Sequence, residues 1–210
     1  MQEKLTDITL VVDRSGSMDA IRLDAEGGVN AFMKQQADED GDALMTLVEF
    51  DTEYNFVERG TPIEDVGGYT LRPRGMTALL DAVGRSINET AERIEATDES
   101  DRPGLVVFVV MTDGQENSSV EFTRDQVHEL ISKRQSEDGW HFTFLGANQD
   151  AFAEARGMGF AAAGVANVNI NKFYNAHDSA SSKVKRMRGQ MRRGEKVSND
   201  FTEQERTDMM

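Results

Sequence analysis

Ile8-Thr9-Leu10-Val11-Val12-Asp13-Arg14-Ser15-Gly16-Ser17 is the stretch that decides the fold. Its first five residues are apolar or β-branched, lack a helical period and read as a strand. The run stops at Asp13. One carboxylate and two hydroxyls, spaced two apart, then leave the strand end together. Oxygen-only groups of this kind suit a hard cation such as Mg2+.

Strand-like and helix-like segments alternate outward from this point. Ile21, Ala25, Val29, Phe32 and Met33 fall on one face of a helix. Gly27-Gly28 weakens that helix locally and predicts close packing there. Ala43 to Phe50 and Tyr54 to Glu58 read as strands joined by Asp51-Thr52-Glu53. That turn is too short for a helical crossover, so the two should pair antiparallel. A Gly- and Pro-containing loop from Gly60 to Gly75 precedes a long helix carrying Leu79, Leu80, Val83, Ile87, Ala91 and Ile94.

Leu105-Val106-Val107-Phe108-Val109-Val110-Met111 is continuously apolar, as in a strand buried on both faces of a parallel sheet. Thr123 and Gln126 fit a capping box, and Phe122 with Val127 a hydrophobic staple, for a helix burying Val127, Leu130 and Ile131. Trp140 to Leu145 reads as a fifth strand and Val165 to Ile170 as a sixth. Asn148 is the expected cap of a short helix between them, ending near Gly157. The order predicts an α/β fold: a Rossmann-like, doubly wound, mostly parallel six-stranded sheet with one antiparallel edge strand and helices on both faces.

Thirty-eight acids against 23 bases give a formal charge of −15, which argues against duplex DNA or an anionic membrane as main partner. The chain has no cysteine, hence no thiolate metal site. The first seven residues are polar and show no secretory leader, and no run approaches the ~18 apolar residues of a membrane span. A cytoplasmic location is expected.

In such a sheet, ligands gather at the carboxyl ends of the strands. Three polar clusters fall there. The first is Asp13, Ser15 and Ser17. The second is Thr77, in Gly75-Met76-Thr77-Ala78-Leu79. The third is Asp113, in Met111-Thr112-Asp113-Gly114. Each also has a plain structural role open to it: Ser15, Gly16 and Ser17 as turn and cap residues, Thr77 as a helix cap, Asp113-Gly114 as a turn. Asp19, Asp51 and Glu116 lie near the same rim without an assignable role.

The D-x-S-x-S, the G-x-T-x-L before a helix and the strand-ending T-D-G together resemble a von Willebrand factor type A domain and its metal-ion-dependent adhesion site. The resemblance covers about residues 5 to 170. It implies a domain at 1–171 holding Mg2+, with Mn2+ or Ca2+ as alternatives. It implies that Ser15, Ser17 and Thr77 bind the ion directly, and that Asp13 and Asp113 act through water. It implies that Thr77 engages in one of two states. It also implies a protein partner, such as an AAA+ ATPase of the MoxR type. Neutral hydroxyls leave most of the ion's charge uncompensated, so a partner Asp or Glu can complete the shell by displacing a water. No nucleophile or general base is evident, and a non-enzymatic binding module is expected.

The last part differs in charge. Residues 172–197 carry eight bases and two acids between Lys172 and Lys196. Ala180, Val184, Met187 and Met191 form an apolar stripe, surrounded by Lys183, Lys185, Arg186, Arg188, Arg192 and Arg193. The expectation is a helix packing its stripe on the sheet with its charges solvated. A patch that contacts RNA, or a scaffold-binding helix, is the alternative. A Mg2+-dependent phosphohydrolase is a third reading, weakened because Ser15 stands where aspartyl-nucleophile phosphatases carry a second carboxylate. Residues 198–210 read as a polar, frayed tail. Gly157-Met158-Gly159-Phe160-Ala161-Ala162 follows a helix, so it lacks the context of a dinucleotide site.

Overall fold

The computed structural model describes residues 2–147 and 150–210. The expected cap Asn148 lies outside the described residues. Six strands, β1 (Gln2–Asp13), β2 (Ala43–Phe50), β3 (Tyr54–Pro62), β4 (Pro103–Thr112), β5 (His141–Gly146) and β6 (Val165–Asn167), form one sheet in the order β3-β2-β1-β4-β5-β6. β3 pairs antiparallel with β2, and the other pairings are parallel. After β1 the chain moves to one side, and after β4 to the other. The switch point therefore lies between β1 and β4. The sixth strand is shorter than expected. It ends at Asn167, and Ile170 starts a 3-10 turn.

Each central strand alternates its side chains between two layers. Ile8, Leu10 and Val12 of β1, with Leu105, Val107, Val109 and Met111 of β4, face α1 (Arg22–Ala37) and α5 (Phe173–Arg192). Val11, Val106, Phe108 and Val110 face α2 (Leu79–Glu95), α3 (Arg124–Ser136) and α4 (Ala151–Gly157). Phe108, Trp140 and Phe142 stack within the second layer. Thr123 and Gln126 form the capping box of α3 that their spacing predicts. The sequence also foresees the close approach at Gly28. A Cβ there would lie 2.5 Å from His177 Nδ1 on α5. Among the described residues, no helix is long and apolar enough to cross a membrane.

Two expectations about the C-terminal part are corrected. The bases around the α5 stripe are not all solvated: Lys183 and Arg188 are buried. The Arg188 guanidinium donates to the carbonyls of Gln36 (2.6 Å) and Gly41 (2.7 Å), at and just beyond the C-terminus of α1. The Gln36 carbonyl lies in the last turn of α1, where a cation meets the negative end of the helix dipole. Lys183 Nζ donates to Thr143 Oγ1 at 2.8 Å and lies 3.9 Å from the centre of the Phe201 ring. Burial pushes its pKa well below the ordinary lysine value.

Residues 198–210 do not fray. They include α6 (Glu203–Met209), opened by a Thr202–Glu205 capping box, and they bury Phe201 and Met209. Arg206 donates to the carbonyls of Val165 (3.0 Å) and Ala163 (3.2 Å), covering the edge at β6. Two apolar anchors, together with the guanidinium groups of Arg206 and Arg186, hold a segment whose composition is otherwise polar.

Two stability outcomes follow. Gly28→Ala should lose about 1–3 kcal/mol in urea denaturation, because overpacking against His177 outweighs the helix preference for Ala; a gain would contradict the packing. Phe201→Ala should lose ~3 kcal/mol, whereas a frayed tail would lose nothing measurable.

Candidate metal centre

Asp13 closes β1 and is wholly buried. The parallel register sets Val12 beside Met111, so Asp13 stands next to Thr112 at the end of β4. Thr112 Oγ1 donates to Asp13 Oδ2 at 2.5 Å, and the Ser15 amide donates to Asp13 Oδ1 at 2.7 Å. Burial raises the Asp13 pKa to about 6 despite these donors, and the nearby Asp113 charge adds to the rise.

The hydroxyls continue outward. Ser15 Oγ and Ser17 Oγ are 3.1 Å apart, and Ser17 Oγ donates to Asp113 Oδ1 at 2.7 Å. Asp113 is raised above the ordinary carboxylate range by burial, against the pull of the Ser17 hydrogen bond. Thr77 reaches the same place from the loop before α2. A Cβ on Gly114 would lie 3.0 Å from Thr77 Oγ1 and 3.6 Å from Asp13 Oδ2. Gly114 therefore leaves open a small space bordered by a hydroxyl and a carboxylate.

The structure thus brings together Asp13, Ser15, Ser17, Thr77 and Asp113 from three loops at one end of the sheet. The helix-cap roles open to these residues are not the ones they take. Ser15 stands at the N-cap position of the 3-10 turn at Gly16–Ile21 but makes no side-chain cap bond there, and the N-cap position of α1 is Ile21. The N-cap of α2 is Ala78, without a side-chain bond. The first amides of α2 are met instead by Glu116 Oε2, 2.9 Å from Leu80 N, and Ser119 Oγ, 3.1 Å from Asp81 N.

Sequence reasoning missed three contributors. Thr112 holds Asp13, as described. Asn117 brackets Thr77: its Oδ1 accepts from the Thr77 amide at 2.9 Å, and its own amide donates to the Thr77 carbonyl at 3.0 Å. Asp81 accepts from the amides of Val120, Glu121 and Phe122, fixing the loop that follows Asp113. Only the register and loop paths reveal these partners. Thr112 had one usable signal, its place directly before Asp113 at a strand end.

Of the rim residues, Asp51 is buried and Glu116 is engaged by backbone amides. Asp51 Oδ2 lies 2.7 Å from Arg14 Nε and accepts from Arg74 Nε at 2.7 Å. Burial alone would raise the Asp51 pKa, but the Glu53 backbone and the two guanidinium groups bring it below the ordinary value. Among the described residues, no cluster of three or more His, Cys, Asp or Glu side chains could hold a metal ion. The centre is built from hydroxyls and two carboxylates, a donor set that fits a hard divalent cation.

No known family model matches this sequence, and no curated protein does. Solved structures do. Proximal thread matrix protein 1 from the mussel byssus is similar at 18% identity and TM-score 0.60, over 86% of this chain and 46% of that one. A von Willebrand factor type A protein from Catenulispora acidiphila is similar at 14% identity and TM-score 0.59, over 87% and 43%. The manganese-loaded TRAP protein of Plasmodium vivax is similar at 15% identity and TM-score 0.56, over 85% and 74%. The chain spans about half the length of the first two. At these identities the likeness bears on the fold alone. Together with the strand order, it shows that this chain has the fold of a von Willebrand factor type A domain.

Proposed function

We propose that this chain is a non-enzymatic protein-binding module whose docking point is a divalent ion. The ion is held by Ser15, Ser17 and Thr77, with Asp13 and Asp113 behind them. The observation that carries this reading is the linked set Asp13–Ser15–Ser17–Asp113, with Thr77 beside Gly114, at the switch point of the sheet. Mg2+ fits the donors, and Mn2+ or Ca2+ are the alternatives. The manganese-loaded state of the TRAP protein supports a divalent ion in this fold.

The chain's own groups divide the work. Asp13 and Asp113 supply negative charge in a place where burial raises both pKa values, and a cation would reverse both shifts. The hydroxyls are neutral, so a bound ion keeps appetite for an external carboxylate. An Asp or Glu of a partner protein is therefore the proposed ligand, and a MoxR-type ATPase is one partner class that the motif resemblance implies. Met76, next to Thr77 and 51% exposed, offers apolar surface beside the site.

The rival readings lose ground. Most of the bases around the α5 stripe that would meet RNA are buried or paired: Lys183 and Arg188 are buried, and Arg186 pairs with Glu205, Arg192 with Glu39 and Arg193 with Glu195. For hydrolysis, among the described residues no histidine or lysine is hydrogen-bonded to the hydroxyls of Ser15, Ser17 or Thr77 to activate them.

Ser15→Ala should weaken Mg2+ or Mn2+ binding in calorimetry by at least ~10-fold while leaving the unfolding midpoint near that of the parent; unchanged affinity would remove the site. Met76→Glu should abolish capture of an Asp- or Glu-bearing partner while leaving ion affinity within about 3-fold, because the change repels the ligand without touching the donors; full capture would place the docking surface elsewhere.

A further inference from the structure

We propose that Asp51, with Arg14 and Arg74, is a positioning clamp that holds the Thr77 loop against the Asp13–Ser17 loop and so sets the affinity of the ion site. The affinity part rests on the metal-dependent reading above; the positioning part does not.

The geometry is specific. Arg14 is the residue between Asp13 and Ser15. Its amide donates to the Phe50 carbonyl at 2.7 Å, and its carbonyl accepts from the Arg74 amide at 2.8 Å. Its side chain turns toward the end of β2, where Nε is 2.7 Å from Asp51 Oδ2 and Nη1 donates to Glu49 Oε1 at 2.5 Å. Arg74 comes from the other loop. Its Nε donates to the same Asp51 oxygen at 2.7 Å, and its Nη2 donates to Glu53 Oε2 at 3.0 Å. A single buried oxygen thus forms an ion pair with one guanidinium from each loop and accepts a hydrogen bond from Arg74.

The backbone completes the clamp. The Asp51 carbonyl accepts from the amide of Ala78, the residue after Thr77, at 2.7 Å. The Gly16 amide donates to the Gly75 carbonyl at 3.2 Å, and the Met76 amide donates to Thr52 Oγ1 at 2.9 Å. Gly75 has φ +69°, and a Cβ there would lie 2.8 Å from Thr52 Oγ1. Thr77 is therefore bracketed by bonds on both sides, and each bracket ends on the 51–52 turn. None of Asp51, Arg14 or Arg74 belongs to the proposed ion donors. A network that orients ligands without touching the metal commonly changes affinity by an order of magnitude.

The test uses Arg74→Ala, because the Arg74 side chain is 57% exposed and its loss leaves the core intact. Without added ions, hydrogen exchange at the Met76 and Ala78 amides should speed by about 10-fold, with exchange in β1 and β4 unchanged. Unchanged exchange at these two amides overturns the clamp. With Mn2+ titrated in calorimetry, Arg74→Ala should weaken binding by about 10-fold in the parent chain and by less than about 2-fold in a Thr77→Ala background. Equal losses in both backgrounds overturn the route through Thr77, and Arg74→Lys should recover part of the loss. If the parent chain binds no Mn2+, the metal reading fails on its own, and the exchange experiment still decides the positioning claim.

Discussion

The buried carboxylate of Asp13 is the constraint around which this end of the molecule is arranged. It sits at the point where the chain reverses its direction of winding. One oxygen takes the Thr112 hydroxyl and the other the Ser15 amide. The first bond ties the ends of β1 and β4; the second bends the chain after β1, where the buried Ser15 hydroxyl meets that of the exposed Ser17. Burying a charge with only hydroxyl and amide donors is costly, and the raised pKa of Asp13 expresses that cost. The proposed cation would supply the compensation.

Around that group the molecule uses charge pairs for two different purposes. On the site face, Asp51 gathers Arg14 and Arg74 and joins loops that are far apart in sequence. On the opposite layer, the bases of α5 are structural. Arg188 closes the carbonyl end of α1, Lys183 lies under the Phe201 ring, and Arg186 pairs with Glu205 of α6. Several bases of this helix thus find partners within the same fold.

Much of this was legible in the residues. Two apolar runs ending on Asp13 and Thr112-Asp113 are enough to set parallel strands with polar ends. The three-residue connection after Phe50 enforces an antiparallel hairpin, and the Thr123–Gln126 spacing fixes the start of α3. The gathering of Ser15, Ser17 and Thr77 follows from topology, because loops leaving the same end of a sheet converge. Less legible were features set by register and loop path. Thr112 is an ordinary strand residue until β4 is aligned with β1. Asn117 and Asp81 bond to backbone segments some 40 positions away. Residues 198–210 read as unattached because Phe201 and Met209 are the only apolar anchors in an otherwise polar run, and their polar ties depend on the fold. The apolar stripe of α5 was plain, but hydropathy gives no sign that Lys183 and Arg188 are buried, since their compensation is carbonyl oxygens and a ring face.

The central claim is that one divalent ion sits among neutral oxygens at the switch point. Anomalous scattering from crystals grown with Mn2+ tests it most directly. The account predicts a single strong peak bounded by the hydroxyl oxygens of Ser15, Ser17 and Thr77. Saturating Mn2+ with no peak there, or with a peak elsewhere on the chain, would contradict it.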